Sequence, residues 1–211
     1  MTAGFKRWAL GAIAVLLLAG CSQSTKPAAD AGSGAATGPA GPPQLVTAKT
    51  AFWPMYKSAL TWAPDLVFLG VTAKEVPGFT NEAGKAAMWE ATFASPSRGK
   101  YRVDTYAIAT VLPDIHKGAA AGLPRRWGGA TRDTMPVAIA SFNIDSDAAY
   151  AAATADAADW LKKNPDQKLS AVALGNAFKF QRPVWGVVWG DKKSGYVAYV
   201  DADSGKVLKG K

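Results

Sequence analysis

The chain is poor in the residues that most often carry chemistry. It holds one cysteine, Cys21, and one histidine, His116, among 211 residues. A lone cysteine excludes an intrachain disulfide, and a lone histidine without further cysteines excludes the usual zinc ligand sets. Acidic side chains are scarce as well, 16 against 24 lysines and arginines. The N-terminal apolar run, Ala9 to Ala19 with Gly11 inside it, falls short of the about 20 residues that a spanning helix needs. No phosphate loop, nucleophile elbow or zinc-protease motif is present.

What the N-terminus does have is the order of an export signal. Lys6 and Arg7 form a positive n-region, and Ala9 to Ala19 an apolar h-region. Leu18-Ala19-Gly20-Cys21 then resembles the lipobox of bacterial lipoproteins. Small residues before the cleaved bond fit a narrow peptidase pocket, and a cysteine supplies the soft nucleophile for a thioether. The other reading is an ordinary signal peptide with an incidental cysteine. The resemblance implies that residues 1–20 are removed and that Cys21 carries a diacylglyceryl group and often a third, palmitate-like acyl chain. Each buried methylene contributes about 0.8 kcal/mol, and two or more chains make such an anchor stable. Ser22 in place of an aspartate leans toward the outer rather than the inner membrane, with the folded part facing the periplasm.

Residues 21–44 read as a lipidated linker. Ser22 to Gln44 is mainly Ala, Gly, Pro, Ser and Thr, with Lys26 and Asp30 as its only charges, and it cannot bury enough surface to offset its ordering entropy. From Leu45 onward the composition changes to one rich in Val, Leu, Phe, Trp and Tyr. A segment of this size buries roughly 70% of its unfolded surface, enough for one core or two small ones. The formal charge is +8, of which Lys6 and Arg7 leave with the leader. The remaining charges are scattered rather than gathered in a stripe, so nucleic acid is not expected as a partner.

The globular part can be laid over itself. A helical stretch from about Thr47 to Trp62 precedes Pro64-Asp65, and another from about Asp147 to Lys163 precedes Pro165-Asp166. Strand-like runs follow in both, Leu66 to Thr72 and Leu169 to Leu174. Next come Trp89 to Phe93 and Trp185 to Trp189, with aromatics at i and i+4, which share one face of a strand. Gly99 and Gly195 mark polar turns, and returning strands begin at Tyr101 and Tyr196. Five landmarks in the same order point to a repeat, against chance register in a tryptophan-rich chain. In the third strand of the first half, Tyr101 and Val103 alternate with Arg102 and Asp104, which predicts the two apolar residues on the packed face.

Phe180 to Leu208, FQRPVWGVVWGDKKSGYVAYVDADSGKVL, resembles the C-terminal half of the PepSY domain. With the helix from Ser146 the likeness covers some sixty residues, and the repeat extends it weakly over Leu45 to Ala109. The first half departs from the pattern where Thr105-Tyr106-Ala107 follows Asp104. The resemblance implies a helix on an antiparallel sheet, no catalytic residues, and a role in binding or regulating peptidases or other envelope proteins.

Four further features bear on function. His116 and Asp114 lie in a loop-like stretch with no second ligand or oriented nucleophile, so a solvent-exposed histidine is expected. Asp201-Ala202-Asp203-Ser204-Gly205 begins like a calcium loop, yet its glycine comes one position early, and a turn fits better. Arg125-Arg126-Trp127-Gly128-Gly129 with Arg132 suits an anionic or peptide ligand, against a solvated linker with Trp127 tucked in. The stripes Trp89/Phe93 and Trp185/Trp189 are expected in the core rather than on a ligand platform.

The expectation is an α+β protein with two helix-plus-antiparallel-sheet, PepSY-like units, residues 45–145 and 146–211, behind a lipidated tether. It is expected to be no enzyme and to need no cofactor or metal. Its partners are the membrane, through lipid on Cys21, and an envelope protein or peptidase. The alternative is a binder of a small or polymeric anionic envelope ligand at the seam between the units.

Overall fold

The structure is a computed structural model that describes residues 43–132, 134–191 and 194–209. Cys21 and most of the tether lie outside the described residues. The first helix, α1 (Ala48–Trp62), turns Ala48, Ala51, Phe52, Met55 and Ala59 inward, the spacing of one apolar face. It stops at Ala63, because the residue before Pro64 is pushed to an extended conformation. The second helical stretch is jointed at Ala157 into α2 (Ser146–Asp156) and α3 (Ala158–Lys163).

Three long strands follow each helix. They are β1 (Val67–Lys74), β2 (Met88–Ser95) and β3 (Lys100–Ala107) in the first half. Two short pieces, β4 (Gly118–Ala120) and β5 (Arg125–Arg126), both pair with β3 and cover its outer edge. The second half contributes β6 (Leu169–Ala177), β7 (Arg182–Trp189), β8 (Tyr196–Asp201) and β9 (Val207–Leu208). The fold is thus α+β, with few helices and an antiparallel sheet.

The two expected units do not stand apart. Residues 41–211 form one compact unit. All these strands join one sheet in the order β4-β3-β2-β1-β6-β7-β8-β9, with β1 and β6 paired antiparallel at the centre. One principal core holds α1, α2 and the inward residues of both hairpins, from Phe52 and Phe93 to Ala149 and Trp189. A helix laid on only three strands leaves little buried area, and edge-to-edge pairing lets the halves share one apolar layer.

The halves correspond in detail. Trp89 lies opposite Ala73, and Trp185 opposite Leu174. Laying Ala73 on Leu174 also lays Thr72 on Ala173, and these two are themselves partners across the central pair. A pseudo-twofold axis therefore passes through the Thr72–Ala173 pair. The same superposition brings together the only register shifts of the two first strands, at Leu69 in β1 and at Ser170 in β6. A bulge at the same place in both halves is a built feature of the repeat. Gly70 stands where β1 meets β6, and a Cβ there would lie 2.6 Å from the Leu174 carbonyl oxygen, so the close pairing needs glycine.

The helix N-termini meet above this axis. Asp145 Oδ1 accepts from Ser146 N at 2.7 Å and from Lys49 N at 3.0 Å, while Ser146 Oγ accepts from Ala48 N at 2.9 Å. One carboxylate and one hydroxyl at the start of α2 thus satisfy otherwise orphaned first-turn donors of α1, where α1's own Thr47 makes no side-chain cap. The Asp145 charge also faces the positive ends of two helices. Gly84, at φ +72°, brings the loop after β1 against this junction, where a Cβ would sit 2.2 Å from the Ser146 carbonyl oxygen.

One expectation about facing is corrected. Arg102 and Asp104 lie opposite Phe93 and Ala91, so they point to the helix side and are 6% and 1% exposed. Tyr101 and Val103 take the other face. The inward pair is tolerable because most of its polar atoms are met: Arg102 Nη2 donates to Asp104 Oδ2 at 2.8 Å, Gly122 N donates to Asp104 Oδ1 at 3.2 Å, and the guanidinium stacks 4.9 Å from the Trp62 ring centre, while the buried Arg102 Nε is left without a hydrogen bond.

Candidate functional site

A wide concavity opens where the two halves part. β1 and β6 pair at Gly70–Gly175, Val71–Leu174 and Thr72–Ala173 and then splay. Beyond Thr72, residues Ala73 to Val76 form one wall and Leu169 to Val172 the other, enclosing a cleft of about 1220 Å³. Val76, Phe79 and Leu169 give it apolar surface. Glu75, Lys85, Asp166, Lys168 and Asp191 line it with charge of both signs. A smaller recess beside it is lined by Pro43, Gln44 and Leu45 and shares Lys85, so the tether enters the folded part next to the cleft.

The walls of the cleft are strand edges. Gly190 N donates to the Lys168 carbonyl at 2.9 Å, toward β7. Successive residues of a strand turn their backbone groups to alternate sides, so those of Leu169 point the other way, into the cleft. Strand edges of this kind recognise extended chains, with backbone hydrogen bonds giving affinity and flanking pockets giving selectivity.

The residues singled out from the sequence fall as follows. Asp114 is exposed in the tight turn closed by Val111 and Ile115, and the exposed His116 directly follows that turn. Among the described residues, no three His, Cys, Asp or Glu side chains gather as a metal would require. Asp201 Oδ1 accepts from Asp203 N, Ser204 N and Ser204 Oγ at 3.0, 2.8 and 3.0 Å, and Arg182 Nη1 reaches Oδ2 at 3.0 Å. Burial pushes this carboxyl up, but the hydrogen bonds from Ser204, Arg182 and Asp203 outweigh it and hold it below the usual range. Its oxygens close a turn, with Gly205 at φ +73°.

Arg125 and Arg126 are exposed in the edge strand β5, and the half-buried Trp127 donates its backbone N–H to Gly99. Arg132 stacks 4.1 Å from the Phe178 ring centre. These cations therefore do not line the cleft. Trp89, Phe93, Trp185 and Trp189 are all buried in the shared core. Each indole of the leading pair donates to a carbonyl just ahead of a helix, Trp89 to Val46 at 2.9 Å and Trp185 to Ile144 at 3.0 Å. Trp62 is far from Trp89, because Trp89 sits at the start of α1 and about 20 Å of helix separates its two ends.

The cleft lies at the seam between the halves, and its lining residues Glu75, Val76, Phe79 and Lys168 carry no mark in the local sequence pattern. Among the described residues no helix is long and apolar enough to cross a membrane. No protein-family model and no curated protein sequence matches the chain. A crystal structure of a candidate lipoprotein from Clostridium difficile 630 is similar over 74% of this chain and 86% of its own, at 11% identity and a TM-score of 0.47, a likeness too distant to establish a common fold.

Proposed function

We propose that this chain is a lipid-anchored protein of the bacterial envelope whose folded part binds a protein partner at the seam cleft and performs no chemistry on it. The anchoring rests on Leu18-Ala19-Gly20-Cys21 and the tether behind it. The binding rests on one observation: a cleft of about 1220 Å³ walled by two splayed strand edges. The order of helix and hairpins, twice given, agrees with the PepSY-like reading, which makes regulation of an envelope peptidase the more specific form of the proposal. Among the described residues the lining carries Lys85 and Lys168 against Glu75, Asp166 and Asp191, and these offer no excess of positive charge to an anionic polymer. That balance favours a peptide over an anionic ligand.

The test is site-specific photo-crosslinking in living cells of the source organism. A photoreactive side chain at Phe79 or Lys168 should give a discrete adduct, and one at Leu123, exposed on the far edge of the sheet, should not. Absence of adducts from the cleft positions, or equal adducts from all three, contradicts the reading.

A further inference from the structure

The molecule already contains an example of what its seam accepts. At the other end of the central strand pair, residues 136 and 137 of the segment between the halves lie against β1. Val137 bridges to Phe68 in antiparallel fashion, donating its N–H to the Phe68 carbonyl at 2.7 Å, and Pro136 O accepts from Asn176 Nδ2 at 3.2 Å. Val137 is 3% exposed and joins the shared core. An extended dipeptide thus fills the gap between the start of β1 and the end of β6.

The pseudo-twofold axis through Thr72 and Ala173 exchanges that filled end for the open cleft. It lays Phe68 on Leu169, whose backbone groups face the cleft, and Asn176 on Glu75, which lines it. The bulges at Leu69 and Ser170 correspond as well, so both edges are bent alike. Resting on the partner-binding reading above, we infer that the open end of the seam receives an extended segment of a protein partner. That segment pairs antiparallel with Leu169 as Val137 pairs with Phe68. It presents a β-branched apolar side chain to Val76, Phe79 and Leu169. The Leu169 carbonyl accepts from the incoming backbone N–H, and Glu75 takes the place of Asn176 as the side chain flanking the segment.

Amide hydrogen exchange on the mature lipidated protein in detergent tests this, with a capped peptide of residues 134–138, Thr-Met-Pro-Val-Ala, as the probe. Without peptide, the Leu169 amide should exchange as an open edge does. At a peptide concentration about ten times its Kd it should slow about tenfold, while β3 and β4 stay unchanged. Exchange unaffected by the peptide overturns the inference. So does slow exchange before any addition that is released by deleting residues 23–42, since the tether is then the occupant. A specific crosslinked partner at Phe79 together with an unprotected Leu169 edge would leave partner binding standing and remove strand pairing alone.

Discussion

Trp89 and Trp185 meet edge to face across the seam, with ring centres 6.5 Å apart and planes at 76°. Both are fully buried, and each is fixed by an indole hydrogen bond to the residue two before its own helix. The contact makes the two halves one folding unit. Trp89→Ala and Trp185→Ala should each cost about 3–5 kcal/mol in urea melts, the range for emptying a buried aromatic site. The double variant should lose less than the sum, because the rings share a contact. A silent Trp89→Ala beside an unfolded Trp185→Ala would contradict the equivalence of the halves.

Asp145 and Ser146 cap α1 from the far side of the axis. Asp145→Ala should therefore uncap both helices and cost about 1–3 kcal/mol, while Asp145→Asn, which keeps an acceptor oxygen, should retain most of the stability. Thermal unfolding of the two variants checks this. Equal losses would show that the charge matters rather than the cap.

The inward pair Arg102–Asp104 predicts an asymmetry between single and double variants. Arg102→Met leaves the buried Asp104 carboxylate without its cation and should cost about 3–5 kcal/mol. Burial already pushes the Asp104 carboxyl above the usual range, against the pull of Arg102 and the Gly122 N–H. Arg102→Met with Asp104→Leu should recover much of the loss in chemical denaturation.

Asp65 governs part of the acid limb. Hydrogen bonds from Ser95 Oγ and Ser97 N, both at 2.6 Å, lower its carboxyl from 3.8 to about 2. A carboxyl depressed in the folded state stabilises it above the unfolded value, and that contribution is lost as pH falls from about 4 toward 2. Stability measured against pH should fall less steeply over this window in Asp65→Asn than in the parent. Identical slopes would contradict the role of the Ser95 and Ser97 bonds.

Much of the local structure was legible because it is written in short-range patterns. Aromatics at i and i+4 located β2 and β7, and Pro64 and Pro165 marked the ends of the helical stretches. The strand β3 misled because its packed face carries Arg102 and Asp104, polar residues admitted only by partners distant in sequence, Trp62 and Gly122. The pairing of β1 with β6, the bulges at Leu69 and Ser170, and the insertion of Val137 beside Phe68 join residues far apart in the chain. Alternation along one strand holds no record of which edge meets which. The seam cleft arises from those pairings, so its lining could not be read from local pattern.

The lipid anchor at Cys21 is the claim from which location and access to envelope partners both follow. Metabolic labelling with radioactive palmitate, comparing the parent chain with Cys21→Ser, tests it most directly. The account predicts label on the parent and none on the variant, which should accumulate as uncleaved or mislocalised precursor. Normal label on Cys21→Ser, or none on the parent, would contradict it.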